Sequence, residues 1–160
     1  MKKVFLTLAA SLSIAAANAV ELNCTFDKAQ PAGIKMSGTV QQDNGVSVLV
    51  SDKGYYIGIA SFVADKNAGA ELTVELTSAG TPAAQLGIIL HENNNGKLKA
   101  LKHLAWMRKV SSDKYDKMVF KIAPEMLTEG KKYDIYFYRS NQKGALKIKQ
   151  INIKTIPAVK

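Results

Sequence analysis

The chain has 160 residues, 47% of them hydrophobic and 22% charged, with a formal net charge of +9 at pH 7. That size suits one ordinary domain, and that composition excludes disordered and collagen-like chains. A single Cys excludes an internal disulfide framework, and no Cys/His cluster is spaced for structural zinc.

The first residues read as an export leader. Lys2 and Lys3 form a positive start, Val4 to Ala17 an apolar run broken by Thr7, Ser11 and Ser13, and Ala17-Asn18-Ala19 a small-residue cleavage site. The run is shorter than the ~20 apolar residues that a membrane span needs. Cleavage after Ala19 is therefore expected, leaving residues 20–160 as a single exported domain, periplasmic or secreted, with no membrane span. Cleavage removes two of the 22 basic residues and none of the 13 acidic ones, so the net charge becomes +7. The lysines are dispersed, without a basic block interleaved with aromatics, and no nucleic-acid partner is expected.

Strand signals follow in order. Cys24 lies in a first strand, Thr25 and Phe26 beside it, where a lone cysteine acts as a small buried hydrophobe. The turn former Asp43-Asn44-Gly45 precedes Val46, Val48 and Val50, which alternate with Ser47, Leu49 and Ser51. A run from Tyr55 to Val63 places Tyr55, Ile57, Ile59, Ser61 and Val63 on one side, with Gly58 and Ala60 on the other. From Ala70 to Thr77, Leu72, Val74 and Leu76 oppose Glu71, Thr73, Glu75 and Thr77, the pattern of an antiparallel strand with one wet face.

Leu86 to Leu90 is apolar and leads into the turn Asn93-Asn94-Asn95-Gly96. The segment 98–110 fits strand or helix, because Leu98, Leu101, Leu104 and Ala105 also mark a helical face. Met118, Phe120 and Ile122 alternate with polar neighbours, and Pro124 to Leu127 reads as one helical turn closed by Gly130. Tyr133, Ile135 and Phe137 oppose Asp134, Tyr136 and Tyr138. In the last strand, Ala145 to Ile156, the apolar phase switches between Ile148 and Ile151, which predicts a bulge near Lys149-Gln150. Eight to ten short strands at spacings of roughly ten residues, with no βαβ alternation, predict an all-β, two-sheet antiparallel sandwich or barrel.

No motif supplies catalysis. There is no G-x-S-x-G elbow, and His91-Glu92 does not continue as H-E-x-x-H because Asn95 stands at the second histidine position. Glu71 and Glu75 share a strand face, but their Cα atoms lie roughly 13 Å apart in an extended chain, beyond glycosidase spacing. A hydrolase would need His91 beside converging carboxylates. The chain is not expected to be an enzyme.

The segment 55–64 (Tyr-Tyr-Ile-Gly-Ile-Ala-Ser-Phe-Val-Ala), the 70–77 strand, the 131–138 strand and Gly144-Ala145-Leu146-Lys147-Ile148 together resemble the galactose-binding-like jelly roll of bacterial carbohydrate-binding modules. The resemblance covers about two-thirds of the chain and implies a sandwich that binds sugars, without reaction, on a concave face or at loop tips. Many members hold a structural calcium partly through an Asp of the last strand. Here Lys147, Lys149 and Gln150 occupy that neighbourhood, so no cofactor and no metal ligands are expected.

Sugar rings present flat C–H faces that stack on aromatics, while nearby polar groups bond their hydroxyls. Tyr136 and Tyr138 project from the wet side of their strand, and Trp106, the lone tryptophan, lies in a polar segment with Arg108. Glu75, His91 and Arg139 are the candidate hydrogen-bonding neighbours. The expected partner is a polysaccharide or other glycan. The alternative is a structural or adhesive cell-surface module that contacts proteins through open strand edges, as edge strands readily do. Exposure of Trp106, Tyr136 and Tyr138 together favours sugar; burial of all three favours protein contact.

Overall fold

The computed structural model describes residues 21–28, 33, 38–51, 56–79, 85–139 and 145–157. The expected leader and cleavage site lie outside the described residues, as do Tyr55 and the loop 140–144. Among the described residues ten strands follow one another: β1 (Glu21–Thr25), β2 (Thr39–Asp43), β3 (Val46–Ser51), β4 (Tyr56–Val63), β5 (Ala68–Ala79), β6 (Gln85–Asn94), β7 (Lys97–Lys109), β8 (Asp116–Ile122), β9 (Lys132–Arg139) and β10 (Ala145–Pro157). A 3-10 turn at Pro124–Met126 stands where the helical turn is expected.

The strands form two antiparallel sheets. The larger is six-stranded in the order β2-β3-β10-β5-β8, with β1 also paired to β10; the smaller is four-stranded, β4-β9-β6-β7. The expected all-β sandwich is the observed architecture. Between the sheets, Leu72, Val74 and Leu76 of β5 and Ile151 and Ile153 of β10 are buried together with Ile88 and Leu90 of β6 and Ile135 and Phe137 of β9. Full burial of each such side chain stabilises by about 1.5–3 kcal/mol.

The ambiguous segment 98–110 is strand. It pairs with β6 from Asn94↔Lys97 to Gln85↔Lys109 around a two-residue Asn95-Gly96 turn, where both φ values are positive, 51° and 92°. Such a primed turn matches the twist of its flanking strands. Register irregularities interrupt the β6–β7 ladder at several points. Each shifts the apolar phase, which is why the leucines of β7 imitate a helical spacing.

Two other irregularities matter. In β10 the register shifts between Ile148 and Gln150, placing the expected bulge at Lys149. There the strand also changes edge partner: residues 146–148 pair with β3 and residues 150–154 with β1. A cleft of about 370 Å³ opens at this junction, lined by residues that include Thr25, Asp27, Ser47 and Lys149. In β4 the register shifts between Gly58 and Ala60. The simple alternation read from the sequence is therefore corrected here: Ala60 and Phe62 pair with the inward-facing Ile135 and Tyr133, while Val63 is 50% exposed.

Candidate functional site

The outer face of the four-stranded sheet collects the aromatic side chains that the sandwich does not bury. On β9 the odd residues Tyr133, Ile135 and Phe137 face the core, so Tyr136 and Tyr138 emerge on the other side, half-buried at their bases. Trp106 of β7 is 63% exposed. Its ring lies nearly parallel to that of Tyr138, with an interplanar angle of 11° and centroids 6.3 Å apart. His103 meets the Trp106 ring edge-on at 4.7 Å. His91 of β6 meets Tyr136 in the same way at 5.1 Å.

The Trp106–Tyr138 pair spans a strand. β6 lies between β7 and β9, which sets the two backbones roughly 9.6 Å apart at ordinary strand spacing. The rings meet because Gly87, the β6 residue opposite Tyr138, has no side chain to separate them. A Cβ built on Gly87 would already stand 3.5 Å from Cδ1 of Tyr138. An offset parallel pair of this kind leaves ring surface uncovered for a third ring.

On the same side of β9, two residues before Tyr136, lies a buried polar clamp. Asp134 is 1% exposed; its carboxylate accepts hydrogen bonds from Ser61 Oγ of β4 at 2.6 Å and from Asn93 Nδ2 of β6 at 2.7 Å. One carboxylate thus ties three adjacent strands and fixes the face on which Tyr136 and Tyr138 stand. His91 is paired with Asp134 in the ladder, and its Nδ1 is buried without a hydrogen-bond partner among the described residues. Burial holds the His91 pKa below the usual histidine value; the Asp134 charge opposes this and His103 reinforces it. Ser61 donates directly to Asp134 rather than to a histidine, so these residues do not compose a nucleophile and base. Among the described residues no group of three or more His, Cys, Asp or Glu is placed to hold a metal ion.

The structure sorts the residues singled out from the sequence. Trp106, Tyr136, Tyr138 and His91 share one face, and exposed Arg108 lies on β7 beside it, opposite Leu86. Two candidates are corrected. Arg139 is fully buried, because the alternation that turns Tyr138 outward turns Arg139 inward; its Nη1 approaches the Ser51 carbonyl of β3 at 3.4 Å. Glu75 belongs to β5 in the other sheet, where its carboxylate accepts from Lys149 Nζ at 2.7 Å. The sequence reading passed over His103, Gly87 and Asp134. A lone glycine within the apolar run Leu86 to Leu90 was a usable signal, since strand glycines mark close approaches.

No family model matches the chain, and no curated protein matches it. Among solved structures, the CBM22-1 xylan-binding domain from Paenibacillus barcinonensis Xyn10C superposes with a TM-score of 0.64 at 18% identity, over 91% of this chain and 100% of that domain. The CBM22-1-CBM22-2 tandem domain of the same protein gives the same TM-score and identity, with 48% of the tandem chain covered. A xylan-binding module, CBM15, aligns at a TM-score of 0.50 and 10% identity over 90% of this chain. At these identities the likeness establishes the fold, the two-sheet sandwich expected from the strand pattern and the jelly roll that the resemblance implies.

Proposed function

We propose that this protein is an exported module that binds polysaccharide, without catalysis, on the outer face of the four-stranded sheet. The observation that carries the reading is the nearly parallel stacking of exposed Trp106 on half-buried Tyr138 across Gly87. Ring planes open to solvent are what the C–H faces of a pyranose require, and a flat sheet face accepts a long chain that a closed pocket would exclude. The neighbours of like fold supply the substrate class to test first, a xylan. Tyr136, His103 and His91 extend the surface beyond the pair.

The test is retention of the protein in native gels cast with soluble xylan, compared with Trp106→Ala. Stacking of a ring contributes about 0.5–1.5 kcal/mol beyond its buried area. Trp106→Ala should therefore weaken binding about tenfold or more and leave the melting temperature nearly unchanged, since the ring is 63% exposed. Binding that Trp106→Ala does not affect, or no retention by any β-linked glycan, overturns the proposal.

A further inference from the structure

We infer that the polysaccharide is an acidic one, bearing uronic-acid carboxylates along its chain; this rests on the glycan-binding reading above. The strand that presents Trp106 is also the open edge of its sheet, since among the described residues β7 is paired only to β6. Over its 13 residues it carries Lys97, Lys99, Lys102, Arg108 and Lys109 and no acidic residue. Among the described residues none of these five forms an ion pair, whereas Lys131, Lys147, Lys149 and Lys154 each hold a carboxylate. Lys99 stands opposite Glu92, but that carboxylate is already held by Lys131 at 2.7 Å.

The geometry places one of these charges on the ring side of the sheet and the others along its open rim. Lys109 pairs with Gln85, two residues from Gly87 on the same side of β6, so it shares the face of the Trp106–Tyr138 pair. Lys102 and Arg108 pair with the inward-facing Leu90 and Leu86, so they leave β7 on the side away from the rings and, both exposed, line the rim of the sandwich. Unpaired cations of one sign along ~40 Å of strand raise a positive potential that a polyanion relieves. Edge lysines also guard against strand-to-strand pairing. Cations serving only as such a guard would retain any polyanion alike, with or without sugar rings.

The experiment compares 4-O-methylglucuronoxylan with the same polymer after its carboxyl groups are reduced to alcohols, at low and at high NaCl. The full chain should bind the acidic polymer about tenfold more tightly at low salt, and the difference should collapse at high salt. The triple variant Lys102→Gln/Arg108→Gln/Lys109→Gln should bind both polymers alike, at the affinity of the wild type for the reduced one. Equal wild-type binding to both polymers at low salt overturns the acidic preference and leaves the glycan reading standing. Retention by neither polymer overturns both. Equal retention by polyglutamate, a polyanion without sugar rings, also overturns the preference, and preferential retention by the uronic-acid polymer supports it.

Discussion

The two outer faces of the sandwich are built from the same alternation and hold opposite contents. On the six-stranded sheet, charge meets charge: Lys147 reaches Asp43 at 3.1 Å, Lys149 reaches Glu75 at 2.7 Å and Lys154 reaches Glu71 at 2.9 Å. Tyr115 joins them, donating its hydroxyl to Asp43 at 2.6 Å, with Lys149 Nζ 5.9 Å from the centre of its ring. Burial, together with that hydrogen bond, pushes the Tyr115 pKa well above the usual tyrosine value. On the four-stranded sheet the outward residues include the rings around Gly87, and among the described residues the cations of its edge strand β7 hold no carboxylate. A face whose groups satisfy one another has little left for a ligand. A face with open ring surface and unspent charge has both contacts still to make.

The largest expected effect comes from cutting the clamp at Asp134. Asp134→Ala leaves the buried Ser61 hydroxyl without its acceptor and Asn93 without its own, and should cost about 2–4 kcal/mol of stability in urea unfolding. A loss below about 0.5 kcal/mol would mean that the three strands hold their positions without it.

Next comes the saddle at Gly87. Gly87→Val inserts methyl groups where a bare Cβ already contacts Tyr138, and it should part the two rings. Xylan binding should weaken about as much as in Trp106→Ala, roughly tenfold, although no ring is removed. Quenching of Trp106 fluorescence by iodide should rise in parallel. Unchanged affinity would show that the parallel pairing is incidental to binding.

Much of this contrast was legible in the chain. Strict alternation over residues 70–77 and 133–138 assigned both the core residues and the outward Tyr136 and Tyr138. The same arithmetic also sends Arg139 inward, since it shares its phase with Phe137; chemistry alone had suggested a surface arginine. Glu75 could not be assigned to a sheet, because period-2 patterning gives a residue its face but not its neighbours across the fold. The phases of β4 and β7 were hidden by bulges, whose positions depend on partner strands far away in sequence. Asp134 looked like a solvated strand acid. Its burial follows from Ser61 and Asn93 arriving from two other strands, 73 and 41 residues away.

A smaller effect should separate the faces by pH. His91 has a folded-state pKa below the usual 6.5, chiefly from burial, so the unfolded chain binds the proton more readily. The stability from neutral His91 is complete above about pH 6.5 and is lost as pH falls from there toward the folded-state value. The depressed carboxyls Asp43 and Glu92 act lower, losing their contribution only as pH drops below their ordinary values of 3.8 and 4.5. Thermal melts should therefore decline as pH falls below about 6.5, and His91→Phe should flatten that part of the curve. An identical decline in His91→Phe would assign it to another group.

The smallest expected effect is on the paired face, and it is the sharpest control. Glu75→Gln removes the partner of Lys149, a pair with side chains 37% and 24% exposed. Such pairs contribute about 0–1 kcal/mol, less at high salt, because water screens the attraction and ordering two flexible side chains opposes it. Lys149 would still lie over the Tyr115 ring, so the local arrangement keeps a second support. Glu75→Gln should lower stability by less than about 1 kcal/mol and leave xylan affinity within about twofold of wild type. A larger drop in affinity would place the polysaccharide on the six-stranded sheet, because Glu75 lies across the core from every ring assigned to binding.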